Sequence, residues 1–265
     1  MPFAPIDGRR LYYERRGAGP RLLFVNGSGG DLRRTPVIFD SPLGAKFDLL
    51  AYDHRGLGQS DISDRAFEMA DLADDAVKLL DHMGWNHCHV FGISFGGMVA
   101  QEIALRHPDR IDKLVLGCAP SGGAGGASYP LHTLGDLLPE ERARLLIPLL
   151  DTRKNDSWQH ENPESFAVMF KEMAEAFRND DGALPKGLQL QLDARSRHDT
   201  WDRIDQLKMP VYVCGGEYDA SATPDALRRL AGRIPGAKFE LFDGGHRFWL
   251  SDTSAYRHII DFLEE

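Results

Sequence analysis

HVFGISFGGMVAQEIALRHPDR, residues 89–110, changes character at its centre. "HVFGI" is an apolar run of the kind that forms a buried strand. From Phe95 onward Met98, Ile103 and Leu105 recur at helical spacing until Pro108 stops them. Ser94 stands at the join, within Gly92-Ile93-Ser94-Phe95-Gly96, and Gly97 follows. A strand that turns at once into a helix holds its corner residue in a strained backbone conformation. Glycines two positions to either side remove the Cβ atoms that would collide there. The serine oxygen is then lifted clear of the sheet. Below it lies a helix N-terminus whose N–H groups and partial positive charge face any developing oxyanion.

A serine hydroxyl is a weak nucleophile at neutral pH. It needs a base, and the base needs an orienting carboxylate. On a strand–turn–helix of this kind the order along the chain is Ser, then Asp or Glu, then His. The C-terminal third supplies one of each: Asp219 closes "VYVCGGEYD" and His246 follows "KFELFDGG". Glu217 and Asp243 compete with Asp219 for the acid. Glu217 lies two residues earlier along the strand, and Asp243 precedes the histidine on its own strand, so Asp219 is preferred. His82, His87, His89, His107, His198 and His258 read as surface or structural histidines. A second oxyanion donor is expected from "NGSGG", Asn26 to Gly30, where several backbone N–H groups carry little side-chain bulk. That loop lacks the lysine spacing of a phosphate cradle.

Working outward, apolar strands alternate with amphipathic helices. "LYYERR", "RLLFV" and "FDLLAY" read as strands, and "MADLADDAVKLLDHM" as a helix stopped by Gly84. "KLVLGCAP" follows the Ser94 helix as another strand. The rhythm then breaks. "SGGAGGASYP" is glycine-rich, and residues 131–205 are helical in pattern, cut into pieces by prolines at 139, 148, 163 and 185. It resumes with strand "PVYVCGG", helix "PDALRRLAGRI", strand "KFELF" and helix "SAYRHIIDFLEE". This is a mostly parallel sheet flanked by helices, an α/β core of residues 1–120 and 206–265, with a helical cap over 121–205 lying across the carboxyl ends of the strands.

The chain has 265 residues, 42% hydrophobic and 27% charged, ordinary values for a globular protein with a sizeable core. Its 31 basic and 40 acidic residues give a formal charge of −9, and no Lys/Arg run stands out. Nucleic acid and anionic membranes are therefore not expected as partners. The three cysteines, Cys88, Cys118 and Cys214, lie in apolar strand-like runs, which fits buried free thiols in the cytoplasm. Their spacing matches no metal site. No signal peptide and no apolar run near the roughly 20 residues of a membrane span is seen.

Four motifs together carry a resemblance: "NGSGG", "DHRGLGQS" (Asp53 to Ser60), "GISFGG", and the pair "GEYDASATP" and "GGH". The chain resembles the α/β-hydrolase superfamily in its serine-nucleophile, cap-containing bacterial form. The resemblance implies a helical cap inserted after the sixth strand and a catalytic triad of Ser94, Asp219 and His246. It also implies an oxyanion hole formed by the N–H groups of Phe95 and Ser28. Asn26 stands where the family usually has His, which keeps Gly27 and Gly29 beside Ser28 as alternatives for the second donor. The expected activity is hydrolysis of a carboxylic ester or lactone through an acyl-enzyme, with no metal and no cofactor. C–C bond hydrolysis and perhydrolysis share the same triad. A non-catalytic ligand-binding protein on this fold is the rival from another class. "YPLHTLGDLL", "IPLL", "FAVMF", Trp158 and Trp201 either line an apolar pocket or pack the cap onto the core. No Arg cluster marks a carboxylate site. The expected partner is a small to medium, largely apolar substrate molecule, and a homodimer is compatible with the sequence.

Overall fold

The computed structural model describes residues 2–63, 65–175 and 184–265. Its eight-stranded sheet consists of β1 (Phe3–Ile6), β2 (Arg9–Arg16), β3 (Arg21–Val25), β4 (Asp48–Tyr52), β5 (Cys88–Ile93), β6 (Ile111–Gly117), β7 (Val211–Gly216) and β8 (Lys238–Phe242). The strand order is β1-β2-β4-β3-β5-β6-β7-β8. β1 and β2 pair antiparallel, as do β2 and β4, and every later pairing is parallel. The order reverses between β3 and β5, so the loops after these two strands leave the sheet side by side. That is the place where a doubly wound sheet opens a crevice.

β1 was not foreseen from composition. Pro5 and a length of four residues suit an edge strand, where a missing N–H costs no ladder bond. The signal was nonetheless present: Asp7-Gly8 has positive φ at both residues (48° and 76°), as a tight hairpin requires.

The central strands β3 to β7 are largely buried on both faces and alternate in what they touch. On β3, Leu23 and Val25 face one cluster, with Val90 of β5 and Leu114 of β6. Leu22 and Phe24 face the other, with Phe91 and Val115. Helices α2 (Met69–His82), α3 (Phe95–Arg106) and α8 (Pro224–Arg233) cover the first face. Helices α1 (Pro42–Lys46), α9 (Phe248–Ser251) and α10 (Ser254–Glu264) cover the second. α2 ends as its sequence indicates: Gly84 takes φ 66° just past the last turn.

Between β6 and β7 the chain leaves the sheet and forms α4 (Pro139–Leu150), α5 (Asp156–Glu161), α6 (Pro163–Glu175) and α7 (Lys186–Ser196). The part of the expected helical pattern over 176–183 lies outside the described residues. Pro139 and Pro163 open helices, the first-turn position where a missing N–H is harmless. Pro148 does not break the pattern as expected. It sits within the last turn of α4, where it disturbs little helix beyond itself. Among the described residues no helix is long and apolar enough to cross a membrane.

Candidate active site

Ser94 is the corner between β5 and α3, with φ 54° and ψ −121°. The neighbouring glycines are required by space. A Cβ on Gly92 would lie 2.3 Å from the Gly96 carbonyl oxygen, and one on Gly96 would lie 2.0 Å from that of Val25. The serine N–H donates to the Gly117 carbonyl at 2.7 Å, tying the corner to β6. The Ser94 carbonyl accepts from the N–H groups of Gly97 (2.9 Å) and Met98 (3.2 Å), which start the helix.

His246 lies in the loop after β8, and its Nε2 is 2.8 Å from Ser94 Oγ. Its Nδ1 is 2.6 Å from Asp219 Oδ2, in the loop after β7. The other carboxylate oxygen, Oδ1, accepts from the N–H groups of Ser221 (2.8 Å) and Ala222 (2.9 Å). Asp219 is 2% exposed, so all of its hydrogen bonding is to protein groups that hold it in one orientation. The structure thus brings Ser94, Asp219 and His246 together. It leaves Glu217 exposed, and pairs the exposed Asp243 with Arg153 at 2.6 Å.

The loop after β3 lies directly opposite: a Cβ on Gly27 would be 3.5 Å from Ser94 Cβ. Three of its amides are already used. Gly27 N–H donates to Asn26 Oδ1 (2.9 Å), Gly29 N–H to Gln191 Oε1 of α7 (2.9 Å), and Gly30 N–H to the Gly27 carbonyl (3.1 Å). Ser28 N–H is the amide of residues 27–30 left without such a bond among the described residues. Phe95 N–H, the first of α3, has no acceptor within its own helix. The Asn26 side chain hydrogen-bonds within its own loop, and so shapes the turn that leaves the Ser28 amide free.

The "DHRGLGQS" stretch braces this loop from behind. Asp53 accepts from Leu32 N–H (2.8 Å) and Gln59 N–H (2.9 Å) through separate oxygens. Burial pushes its carboxyl up to about 6. His54 Nε2 donates to the Asn26 carbonyl at 3.1 Å and its ring meets Phe95 edge-on. Burial lowers that imidazole to about 4, so it stays neutral. Arg55 forms a two-pronged, buried pair with Asp75 of α2, at 2.6 and 2.7 Å. The roles of Asp53, His54 and Gln191 as supports were not foreseen from the sequence.

Among the described residues one grouping of metal-ligating side chains occurs, Cys118 with Asp219 and His246, their ligand atoms within 4.8 Å of one another. The Cys118 thiol donates to the His246 carbonyl at 3.2 Å, and burial raises its pKa well above the ordinary thiol range. In this arrangement it is a neutral packing group behind the histidine.

Ser94 and His246 open onto a cleft of about 1710 Å³. Leu134, Leu146, Ile147, Val168 and Met169 of the inserted segment form its far wall, and most of its lining is apolar. Trp158 and Trp201 are not part of it: Lys154 sits over the first ring and Arg233 over the second. Basic side chains also border the cleft, Arg33, Arg34, Arg142 and Arg247 among them, a feature that sequence spacing did not reveal.

Comparison with known proteins agrees with this architecture. A provisionally named carbamate hydrolase, RutD, from Caulobacter vibrioides is 28% identical over 283 residues, covering 100% of this chain and 98% of that one. The enol-lactonase of Burkholderia xenovorans LB400 superposes with TM-score 0.81 at 24% identity, covering 100% of both chains. Est816, described as an N-acyl homoserine lactone degrading enzyme, gives TM-score 0.74 at 25% identity over 98% of this chain and 99% of that one. The family model for the α/β hydrolase fold matches residues 20–252, and with that match over most of its length the chain belongs to the α/β-hydrolase fold family of enzymes.

Proposed function

We propose that the protein is a serine hydrolase that cleaves a carboxylic ester or lactone of small to medium size through an acyl-enzyme. The observation that carries this reading is the unbroken relay from Ser94 Oγ through His246 to the buried Asp219, with the serine opening onto an apolar cleft. Ser94 Oγ attacks the carbonyl carbon while His246 Nε2 takes its proton. The N–H groups of Ser28 and Phe95 donate to the oxygen that becomes negative. His246 then passes the proton to the leaving-group oxygen and the C–O bond breaks. Water repeats the sequence, losing its proton to His246 and releasing the acid and Ser94. Asp219 keeps the imidazole in the tautomer whose Nε2 accepts.

In this reading residues 121–205 act as the cap over a core of 1–120 and 206–265 and select what enters. The apolar wall contributed by α4 and α6 supports a largely apolar acyl or alcohol part. A carbamate presents the same kind of carbonyl, and the full-length relative named for that activity favours including it as a second substrate class.

The test is a panel of p-nitrophenyl esters, lactones and aryl carbamates turned over by the wild type and by Ser94→Ala. Ester or lactone turnover that falls by several orders of magnitude in the variant is expected. Equal turnover by both proteins would exclude Ser94 as the nucleophile. Ligand binding without any turnover, and no labelling of Ser94 by a fluorophosphonate, would favour a non-catalytic binding protein.

A further inference from the structure

On the far side of the first turns of α3 a second cavity, of about 90 Å³, lies between the two ends of the inserted segment and shares no lining residue with the cleft. A water needs roughly 10–15 Å³ of such space, so a polyatomic ion fits. Met98, Gly122, Arg195 and His198 are its buried lining; the exposed Ala127, Pro130, His132 and Ser196 surround its mouth.

Arg195, at the end of α7, is 6% exposed. Its guanidinium donates only to neutral groups, the Tyr129 carbonyl at 2.8 Å and Ser128 Oγ at 2.6 Å. Its Nε has no partner among the described residues. A guanidinium carries five N–H donors, so three remain beyond these two. Burial lowers its pKa to about 10, which leaves the group charged at neutral pH with no carboxylate paired to it among the described residues. His198, equally buried, has the Pro120 carbonyl beside it, and neither ring nitrogen makes a hydrogen bond of good geometry among the described residues. A buried cation without a counter-charge and unsatisfied buried donors are both costly, and a small anion in the cavity would relieve both.

We propose that this cavity binds a small oxyanion of the size and charge of inorganic phosphate. The remaining N–H groups of Arg195 and a ring N–H of His198 hold the ion. Ser128 and Tyr129 belong to the leg of chain that leaves β6, whereas Arg195 and His198 belong to the leg that returns to β7. The bound ion therefore ties the two legs together at the base of the inserted segment.

Equilibrium dialysis of the full chain against labelled inorganic phosphate tests this. One saturable site per chain is expected, with affinity at least tenfold weaker in Arg195→Gln and unchanged in Ser94→Ala. Ser128→Asp offers the guanidinium a carboxylate of its own; it should abolish phosphate binding and raise Tm, and it serves if Arg195→Gln does not fold. Absence of saturable binding to the folded wild type, binding that survives both Arg195→Gln and Ser128→Asp, or binding lost with Ser94→Ala would each overturn the proposal.

Discussion

Replacing Asp219 by Asn isolates what the buried carboxylate contributes. The new amide is nearly the same shape, but one of its two ends is a donor. The structure decides which end faces the histidine. Oδ1 accepts from the N–H groups of both Ser221 and Ala222, at 2.8 and 2.9 Å, and the amide NH2 cannot take that place without leaving two buried donors unpaired. The NH2 therefore points at His246 Nδ1, now 2.6 Å from Oδ2. Facing a donor, Nδ1 gives up its proton and Nε2 carries it instead. An Nε2–H cannot accept the proton of Ser94 Oγ, 2.8 Å away. Loss of the working tautomer lowers kcat on the order of 10⁴-fold, which is roughly 5–6 kcal/mol of barrier at about 1.4 kcal/mol per decade. The assay is steady-state turnover of a p-nitrophenyl ester, with near-ultraviolet circular dichroism and Tm to show that the fold persists. Asp243→Asn and Glu217→Gln serve as controls and should stay within about twofold of wild type. A folded Asp219→Asn enzyme within tenfold of wild-type kcat would refute the reasoning, as would a comparable loss in either control.

Three further perturbations follow from the same geometry. Gly96→Ala pushes a methyl group to 2.0 Å from the Val25 backbone oxygen, so the corner must move; the variant should lose both ester turnover and several degrees of Tm, and unchanged values of both would contradict the steric account. Gln191→Met removes the acceptor of Gly29 N–H, and kcat should fall by about tenfold as the Ser28 amide drifts; kcat equal to wild type would show that α7 does not hold this loop. Stability should also depend on acid. Burial pushes His54 and His198 down to about 4, so the unfolded chain gains these protons from the ordinary 6.5 downward while the folded chain resists. Their contribution is complete above pH 6.5 and is lost as pH falls to 4. Asp53, pushed up to about 6 by burial, protonates first in the folded state and offsets part of this. At 1.36 kcal/mol per pKa unit the histidines prevail by about 4 kcal/mol. Urea unfolding at pH 7 and pH 4 measures the difference; equal stability at the two values, or the same loss in His198→Gln, would count against it.

What could be read from the sequence was local. The corner at Ser94 declares itself because its glycines, strand and helix are contiguous in the chain, from Cys88 to Arg106, and each has a steric reason to be where it is. Asp219 and His246 could be named because each lies in the loop just after a strand, in the required order. Asp7-Gly8 carried a hairpin signal of the same local kind, hidden by the brevity of the strand before it. Gln191 carried none. Its partner is 162 residues away, and its position on α7 looks like any polar helical residue. Asp53, His54 and Arg55 were recognisable as a motif but not as a brace, because their bonds run to Leu32, Asn26 and Asp75 on other elements. The cleft's arginines were unreadable for the same reason: they converge from residues 33, 34, 142 and 247.

The chain that leaves the sheet at Gly117 returns beside the same strand, with Leu114 facing Val211 and Gly117 facing Cys214 across adjacent backbones. Nothing in the β6–β7 ladder records how many residues intervene. The excursion nevertheless reaches back to the loops that carry the acid and the histidine: the Leu150 carbonyl accepts from His246 N–H at 2.6 Å and the Leu149 carbonyl from Ala220 N–H at 3.1 Å. A replacement insertion would therefore preserve the arrangement of Ser94, Asp219 and His246 only if it rebuilt these two bonds as well as the contact from Gln191 to the first loop.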